Sequence, residues 1–254
     1  MNDESVRKDL LWLSDADNTL WDTDSLYREA QLDLLTNVEK AILIEGPREK
    51  RLEFVRGIDQ ALAQLDHRGL KYPVSMLISA VSQALRGHSI QRATYQAAQG
   101  SLAISRAKME KIVFEFCSAL SRCPVLRAGV ASGLDALSQA GVTIIVITEG
   151  DKERIKHLLM QTRLRKLISS VIAAKKSVSL YARLSQLHAR SMNWMIGDQI
   201  DRDVFMAAQA GMRTAFFPGG FQPPWNAHQM NLPNGCIEVT DYQQAVTAAL
   251  WGRN

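Results

Sequence analysis

The sequence predicts an α/β fold, a doubly wound parallel sheet with a helical domain inserted after its first strand. Three observations point there. From residue 126 onward, short β-branched apolar runs alternate with helical stretches; a further apolar run stands alone at Leu10–Leu13; and no strand pattern appears between Leu13 and Val142. A parallel-strand crossover needs only about 30 residues in all, so the stretch between these strands reads as a domain of its own. The core is assigned to residues 1–21 and 126–254, and the helical domain to residues 22–125.

Leu10–Leu13 is a buried strand that ends in the polar turn Ser14-Asp15-Ala16-Asp17-Asn18-Thr19. The insertion is helical by spacing. Leu26, Ala30, Leu34 and Val38 recur every three or four residues, as do Leu52, Val55, Leu62 and Leu65, then Val74, Leu77, Ile78, Val81 and Leu85, and lastly Ile112, Val113, Phe116 and Leu120. Breaks fall at Gly46-Pro47, Gly69 to Pro73, Gly87 and Gly100.

A helix with Val130, Leu134 and Leu137 stops at Gly141, which suits a left-handed residue just past a helix end, and the strand Val142–Ile147 follows at once. Helix 152–162 leads to a strand at Ser170–Ala173, helix 177–189 to a strand at Asn193–Ile196, and helix 202–210 to Gly211 and a strand at Thr214–Phe217. A helix over 241–250 closes the chain.

Composition narrows the function classes. The chain has 254 residues, 46% hydrophobic and 22% charged, with 30 Lys+Arg against 26 Asp+Glu for a net +4. That is ordinary for a globular chain and argues against disorder or coiled coil. The sequence pI of about 9.0 invites thoughts of nucleic acid, but the densest basic stretch, Lys152 to Lys176, alternates with apolar residues like a solvated helix face, and no nucleic-acid-binding signature accompanies it. No run approaches a membrane span, and the first residues lack a signal-peptide core, so the expected location is the cytoplasm. Cys117, Cys123 and Cys236 have no metal-ligand spacing and are expected to be reduced and at least half-buried. The five histidines, His67, His88, His157, His188 and His228, show no metal-ligand spacing either.

Polar residues able to do chemistry stand at three strand ends: Asp15 and Asp17 after the first strand, Thr148 after the second, and Asp198 after the strand that ends at Gly197. In open α/β sheets ligands bind outside the carboxyl ends of the strands, so these groups converge if their strands are neighbours. Lys175 or Lys176, before the third core helix, adds an ammonium.

Together these residues resemble the haloacid-dehalogenase-like (HAD) superfamily, in particular its Asp-x-Asp phosphatases. Asp15-Ala16-Asp17-Asn18-Thr19-Leu20 is similar to the family's first motif and Thr148 to its second. Lys176, with Tyr181 five positions on, resembles the third, and Gly197-Asp198-Gln199-Ile200-Asp201-Arg202-Asp203, followed by Gly211, resembles the fourth. The motifs occur in family order from Asp15 to Gly211, and the helical insertion stands where the family carries a C1-type cap over a Rossmann-like core.

The resemblance implies a Mg²⁺-dependent phosphohydrolase of a small phosphorylated metabolite. Asp15 would be the nucleophile that forms an aspartyl-phosphate, and Asp17 the general acid and base. Asp15, Asp198 and the main-chain carbonyl of Asp17 would hold the metal, with Asp203 behind it, binding through water or orienting Asp198 and Lys176. Thr148 and Lys176 would bind the phosphoryl oxygens. The spacing to Tyr181 favours Lys176 over Lys175. The chemistry fits, because a dianionic phosphoester admits a carboxylate nucleophile only once positive charge offsets the repulsion.

Two positions depart from the family pattern. Asn18 stands where Asp or Gly is usual, and Thr148-Glu149-Gly150-Asp151 replaces the frequent Thr-Asn. Asn tolerates turn conformations; Glu149 is compatible with a phosphate site only if it points away, and it is left out of the catalytic set. Taken singly, each residue has a plainer reading: Asp15 and Asp17 as a turn, Thr148 as a cap for helix 152–162, Asp198 as the cap of helix 202–210, the lysines and Asp201 as solvated surface. The turn-rich segment Gly219–Trp225 is expected to be a packed surface loop. Asp17 argues against halide displacement, in which the leaving group takes no proton. Phosphonatase chemistry would need a cap lysine, and Lys40, Lys50, Lys71, Lys108 and Lys111 offer no distinguished candidate. A phosphotransferase and a non-enzymatic interaction module on the same fold are the remaining alternatives. The substrate-binding residues of the cap and the oligomeric state are not legible.

Overall fold

The computed structural model of the protein describes residues 10–65, 72–188, 192–221 and 231–252. They fall into two compact units, one of residues 1–24 and 123–254, the other of residues 25–122.

The first unit is built on a six-stranded sheet: β1 (Leu10–Ser14), β2 (Thr143–Thr148), β3 (Ser170–Ala173), β4 (Met192–Gly197), β5 (Arg213–Phe216) and β6 (Ile237–Glu238). Every pairing is parallel, and the order is β3-β2-β1-β4-β5-β6. The chain thus builds outward from β1 first on one side and then on the other, which puts the topological switch point beside β1.

Strand alternation explains why the sheet is covered twice. Leu10 and Trp12 of β1, with Ile144, Val146, Trp194 and Ile196, face a layer containing helices Val130–Gln139, Lys152–Gln161 and Tyr242–Trp251. Leu11 and Leu13, with Ile145, Ile147 and Met195, face Tyr181 and Leu184 of helix Val178–His188 and Ala207 of helix Met206–Gln209. A strand apolar at every position is what a sheet buried on both faces requires. Each large side chain removed from water here is worth about 1.5–3 kcal/mol. Trp12 adds an indole N–H donated to the Tyr242 hydroxyl at 2.8 Å, so its polar atom is not stranded.

The helix-stop reading at Gly141 matches the structure, where its φ is +73°. Two elements escaped the sequence reading. One is β6, only two residues long. The other is helix Ile90–Ala98, whose buried residues are Ala93, Thr94 and Ala97, too small to stand out as an apolar stripe. The expected helix over 202–210 is instead a π-helix, Ile200–Phe205, running into a short α-helix. Two side-chain bonds brace its start: the Arg202 carbonyl accepts from the buried Tyr181 hydroxyl at 3.1 Å, and the Asp203 carboxylate accepts from Gln199 N–H at 3.1 Å. Such insertions into the helical ladder concentrate at functional sites. The cysteines also differ from expectation: all three are free, but Cys117 and Cys123 are exposed and only Cys236 is half-buried. Cys117 follows the buried Phe116 on its helix, one position round from the apolar stripe, and so faces water.

The second unit packs Leu34, Leu35 and Val38 of helix Thr23–Ile42, Val55, Ile58 and Leu62 of helix Arg51–Leu65, Ile78 and Val81 of helix Val74–Leu85, and Ile112 and Phe116 of helix Arg106–Leu120. Arg51 forks onto both oxygens of Glu39 at 2.7 and 2.8 Å. Asp59 accepts from Gln31 Nε2 at 2.9 Å and from the Tyr72 hydroxyl. Burial raises the Asp59 carboxyl to about 6, against the Gln31 hydrogen bond and the Arg56 charge that lower it. Lys40, Lys50, Lys108 and Lys111 are exposed, while Lys71 lies outside the described residues. No helix among the described residues is long and apolar enough to cross a membrane.

Candidate active site

The parallel register brings the chain just beyond β1, β2 and β4 to one edge of the sheet, since Ser14 is level with both Val146 and Ile196. Asp15 stays in line through its N–H, which donates to the Ile196 carbonyl at 2.9 Å. Asp198 follows β4 directly, and Asp203 folds back under it from the π-helix. Carboxylate oxygens of Asp15, Asp198 and Asp203 lie within 4.8 Å of one another, all buried. The fold leaves room for this only because residue 197 is glycine: a Cβ there would stand 2.3 Å from the Asp203 carboxyl.

Lys176 is the sole buried lysine among the described residues, while Lys175 is exposed. Its ammonium contacts Asp15 and lies 2.5 Å from Asp203 Oδ1. Burial disfavours its charge, yet Asp15 and Asp203 outweigh that and hold it firmly protonated. The carboxylates respond in the opposite sense. Burial drives Asp15 up to about 7 against the pull of Lys176, with Asp203 adding to the rise. Asp198 is raised well above the usual range by burial and by its neighbours Asp15 and Asp203. One ammonium against three buried carboxylates leaves the cluster short of positive charge.

A divalent cation fits that deficit. Asp198 Oδ1 is buried and accepts no hydrogen bond among the described residues, and a carboxylate-lined site of this kind suits Mg²⁺, which takes few protein oxygens and keeps water or substrate oxygens for the rest.

Thr148, at the end of β2, is buried and accepts the Gly150 N–H at 2.9 Å, leaving its hydroxyl proton to donate elsewhere. It does not cap the following helix; Asp151 does, accepting from Arg154 N–H at 2.7 Å. Nor does Asp198 cap the π-helix, whose cap position is Gln199. Asn18 takes the left-handed conformation, φ +56°, and its side-chain oxygen accepts from the Thr23 hydroxyl at 2.8 Å and from Asp24 N–H at 2.7 Å, which fixes the turn that carries Asp17.

Glu149 does point away from the cluster. One oxygen accepts the Lys176 main-chain N–H at 2.9 Å and the other pairs with Arg202, which ties the loops after β2, β3 and β4 together. Burial would raise this carboxyl, but those two partners hold it below its ordinary range. Asp201 stands 3.9 Å from Arg202 Nε and is half-buried rather than solvated.

Two arginines were missed from sequence. Arg154, on the first turn after Asp151, pairs with the Asp17 carboxylate. Arg127 donates to the carbonyls of Asn18, Phe217 (3.0 Å) and Pro218 (2.7 Å) and lies 3.4 Å above the Phe217 ring. Neither belongs to a motif, and a lone Arg in a helix or loop carries no signal of its own. The loop after β5 also corrects an expectation. A side chain at Gly219 would stand 3.2 Å from Asp198 Oδ2 and 3.3 Å from Asn18 Cβ, so this loop borders the cluster instead of packing apart from it; residues 222–225 of that segment lie outside the described residues.

Comparison with known proteins supports the same region. A family model described as a haloacid dehalogenase-like hydrolase matches residues 12–211. No curated protein matches the chain. Among solved structures, a haloacid dehalogenase-like family hydrolase from Xanthomonas campestris is similar over 96% of this chain and 98% of its own, at 18% identity and a TM-score of 0.63. The HAD-hydrolase YfnB from Bacillus subtilis, bound to magnesium, is similar over 94% and 97%, at 15% identity and a TM-score of 0.58. A predicted phosphoglycolate phosphatase from Haemophilus somnus gives 93% and 96%, at 16% identity and a TM-score of 0.58. At these identities the likeness is one of fold.

Proposed function

Because the chain belongs to the haloacid dehalogenase-like hydrolase family, we propose that it is a Mg²⁺-dependent phosphohydrolase that cleaves a small phosphomonoester through an aspartyl-phosphate. The observation that carries this reading is the convergence of Asp15, Asp198 and Asp203 around the buried ammonium of Lys176.

Asp15 is the nucleophile. One of its carboxylate oxygens bonds to phosphorus as the bond from phosphorus to the ester oxygen breaks, and Asp17 gives its proton to that departing oxygen. In the second step Asp17 takes a proton from water, the water oxygen bonds to phosphorus, and the bond to Asp15 breaks, releasing phosphate. Lys176 and the Thr148 hydroxyl bind the phosphoryl oxygens as their charge redistributes. Asp15, Asp198 and the main-chain carbonyl of Asp17 would hold Mg²⁺, which would supply the positive charge that lets two anions approach. Asp203 keeps Lys176 and the π-helix in position.

Support comes from the residue types and their burial. Lys176 is protonated where it must face a phosphate dianion, and Thr148 has its acceptor side occupied and its proton free to donate. The test is Mg²⁺-dependent release of phosphate from an aryl phosphate. Asp15→Asn should abolish it, and near-full activity in that variant would sink the mechanism.

A further inference from the structure

Asp17 does not stand alone beside the reaction centre. Its Oδ1 is held by Arg154 Nη2, and both side chains are about one-third exposed, at 34% and 38%. Arg154 is anchored from behind, because its N–H is fixed by the Asp151 cap. Among the described residues its guanidinium has no partner but Asp17, so most of its five donors are unclaimed.

That placement has a chemical consequence, which rests on the phosphohydrolase reading above. To protonate the leaving oxygen, Asp17 must approach it to roughly 2.6–3.2 Å. A guanidinium touching the same carboxylate then lies beside the first atoms of the leaving group. Arg presents a planar fork suited to carboxylate or phosphate oxygens, and one edge can serve Asp17 while another meets a ligand. A neutral leaving group makes no use of that fork. One with an anionic group near the ester oxygen does.

We propose that Arg154 reads the leaving group, so that the enzyme prefers phosphomonoesters carrying a second anionic group, carboxylate or phosphate, on the carbons next to the ester oxygen. Arg154 is here a specificity residue, distinct from the nucleophile, acid and metal ligands.

The experiment uses matched substrate pairs with the full chain and Mg²⁺. In the first, 2-phosphoglycerate and glycerol 2-phosphate differ by a carboxylate in place of a hydroxymethyl group. In the second, ethylene glycol bisphosphate and ethylene glycol monophosphate differ by the second phosphate. An aryl phosphate is the common reference. The wild type should favour the anionic member of at least one pair by about tenfold or more in kcat/KM, and Arg154→Gln should erase that ratio chiefly through KM, with Arg154→Lys restoring part of it. Whichever pair discriminates identifies the anion. Binding of the same compounds to Asp15→Asn, with and without Arg154→Gln, should follow the same order without turnover. Turnover of both members at a ratio unchanged by Arg154→Gln would overturn the role of Arg154 and leave the phosphohydrolase reading intact. Absence of turnover on every phosphate, the aryl ester included, from a folded wild type would overturn that reading and this inference with it.

Discussion

Lys176 Nζ lies 2.5 Å from Asp203 Oδ1 in a buried site, and the same ammonium contacts Asp15. It is the ion-pair partner of both buried carboxyls, so its removal leaves Asp15 and Asp203 without the ammonium they face. Lys176→Ala is expected to lower stability by about 3–5 kcal/mol in metal-free buffer. Urea unfolding in the presence of a chelator measures this, and Mg²⁺ should recover part of the loss.

The unpartnered Asp198 oxygen makes metal binding a stability measurement as well as a kinetic one. At about a hundred times its dissociation constant, Mg²⁺ should raise the unfolding free energy by about 2.7 kcal/mol. Chelation should remove the gain, and Asp198→Asn should abolish it at the same concentration. Thermal unfolding with and without Mg²⁺ reads both outcomes, independently of any substrate.

Arg127 joins the turn after β1 to the loop after β5 through three carbonyls. Burial lowers its pKa, with Asp198 and Asp22 acting against the fall, but it remains a cation. Truncation to Ala strands those carbonyls and removes the stacking on Phe217, for an expected loss of about 2–4 kcal/mol. Lys should restore little, because an ammonium cannot fork across two loops. Denaturant midpoints of the two variants decide between charge and shape.

Asp59 gives the helical unit a defined pH dependence. Its carboxyl rises from an ordinary 3.8 to about 6 on folding, mainly through burial. The folded chain therefore holds this proton more tightly than the unfolded chain, and stability falls as pH rises from about 4 to about 6, then levels. The loss amounts to about 3 kcal/mol at most. Asp59→Asn should flatten the wild-type curve over that window, as measured by unfolding midpoints across pH.

The strands and the polar residues that meet at the sheet edge were legible in the sequence for a simple reason. β1, β2 and β4 are apolar on both faces, and a polar residue directly after such a run can only stand at the sheet edge. Lys176 was separable from Lys175 because its five-residue spacing to Tyr181 resembles the family's lysine motif, and in the structure Lys176 is buried while Lys175 is exposed. What stayed hidden depends on contacts between segments far apart in the chain. Arg154 meets Asp17, and Arg127 meets Phe217 and Pro218, only once the sheet has formed. The π-helix is invisible for the same reason, since the Tyr181 hydroxyl that bonds its Arg202 carbonyl comes from another helix. Gly219 looked like loop punctuation until Asp198 was seen beside it.

The stems on either side of the inserted unit form a small antiparallel clasp. Trp21 bridges Leu126, Asp22 N–H donates to the Val125 carbonyl at 2.9 Å, and Arg127 N–H donates to the Leu20 carbonyl at 3.0 Å. With the clasp fastened, the two points where the chain leaves and re-enters the sheet-bearing unit lie side by side, and the entropy of joining such ends grows only slowly with what lies between them. Lengthening or exchanging residues 25–122 should therefore cost little in closure entropy and leave Asp15 and Lys176 where the sheet puts them.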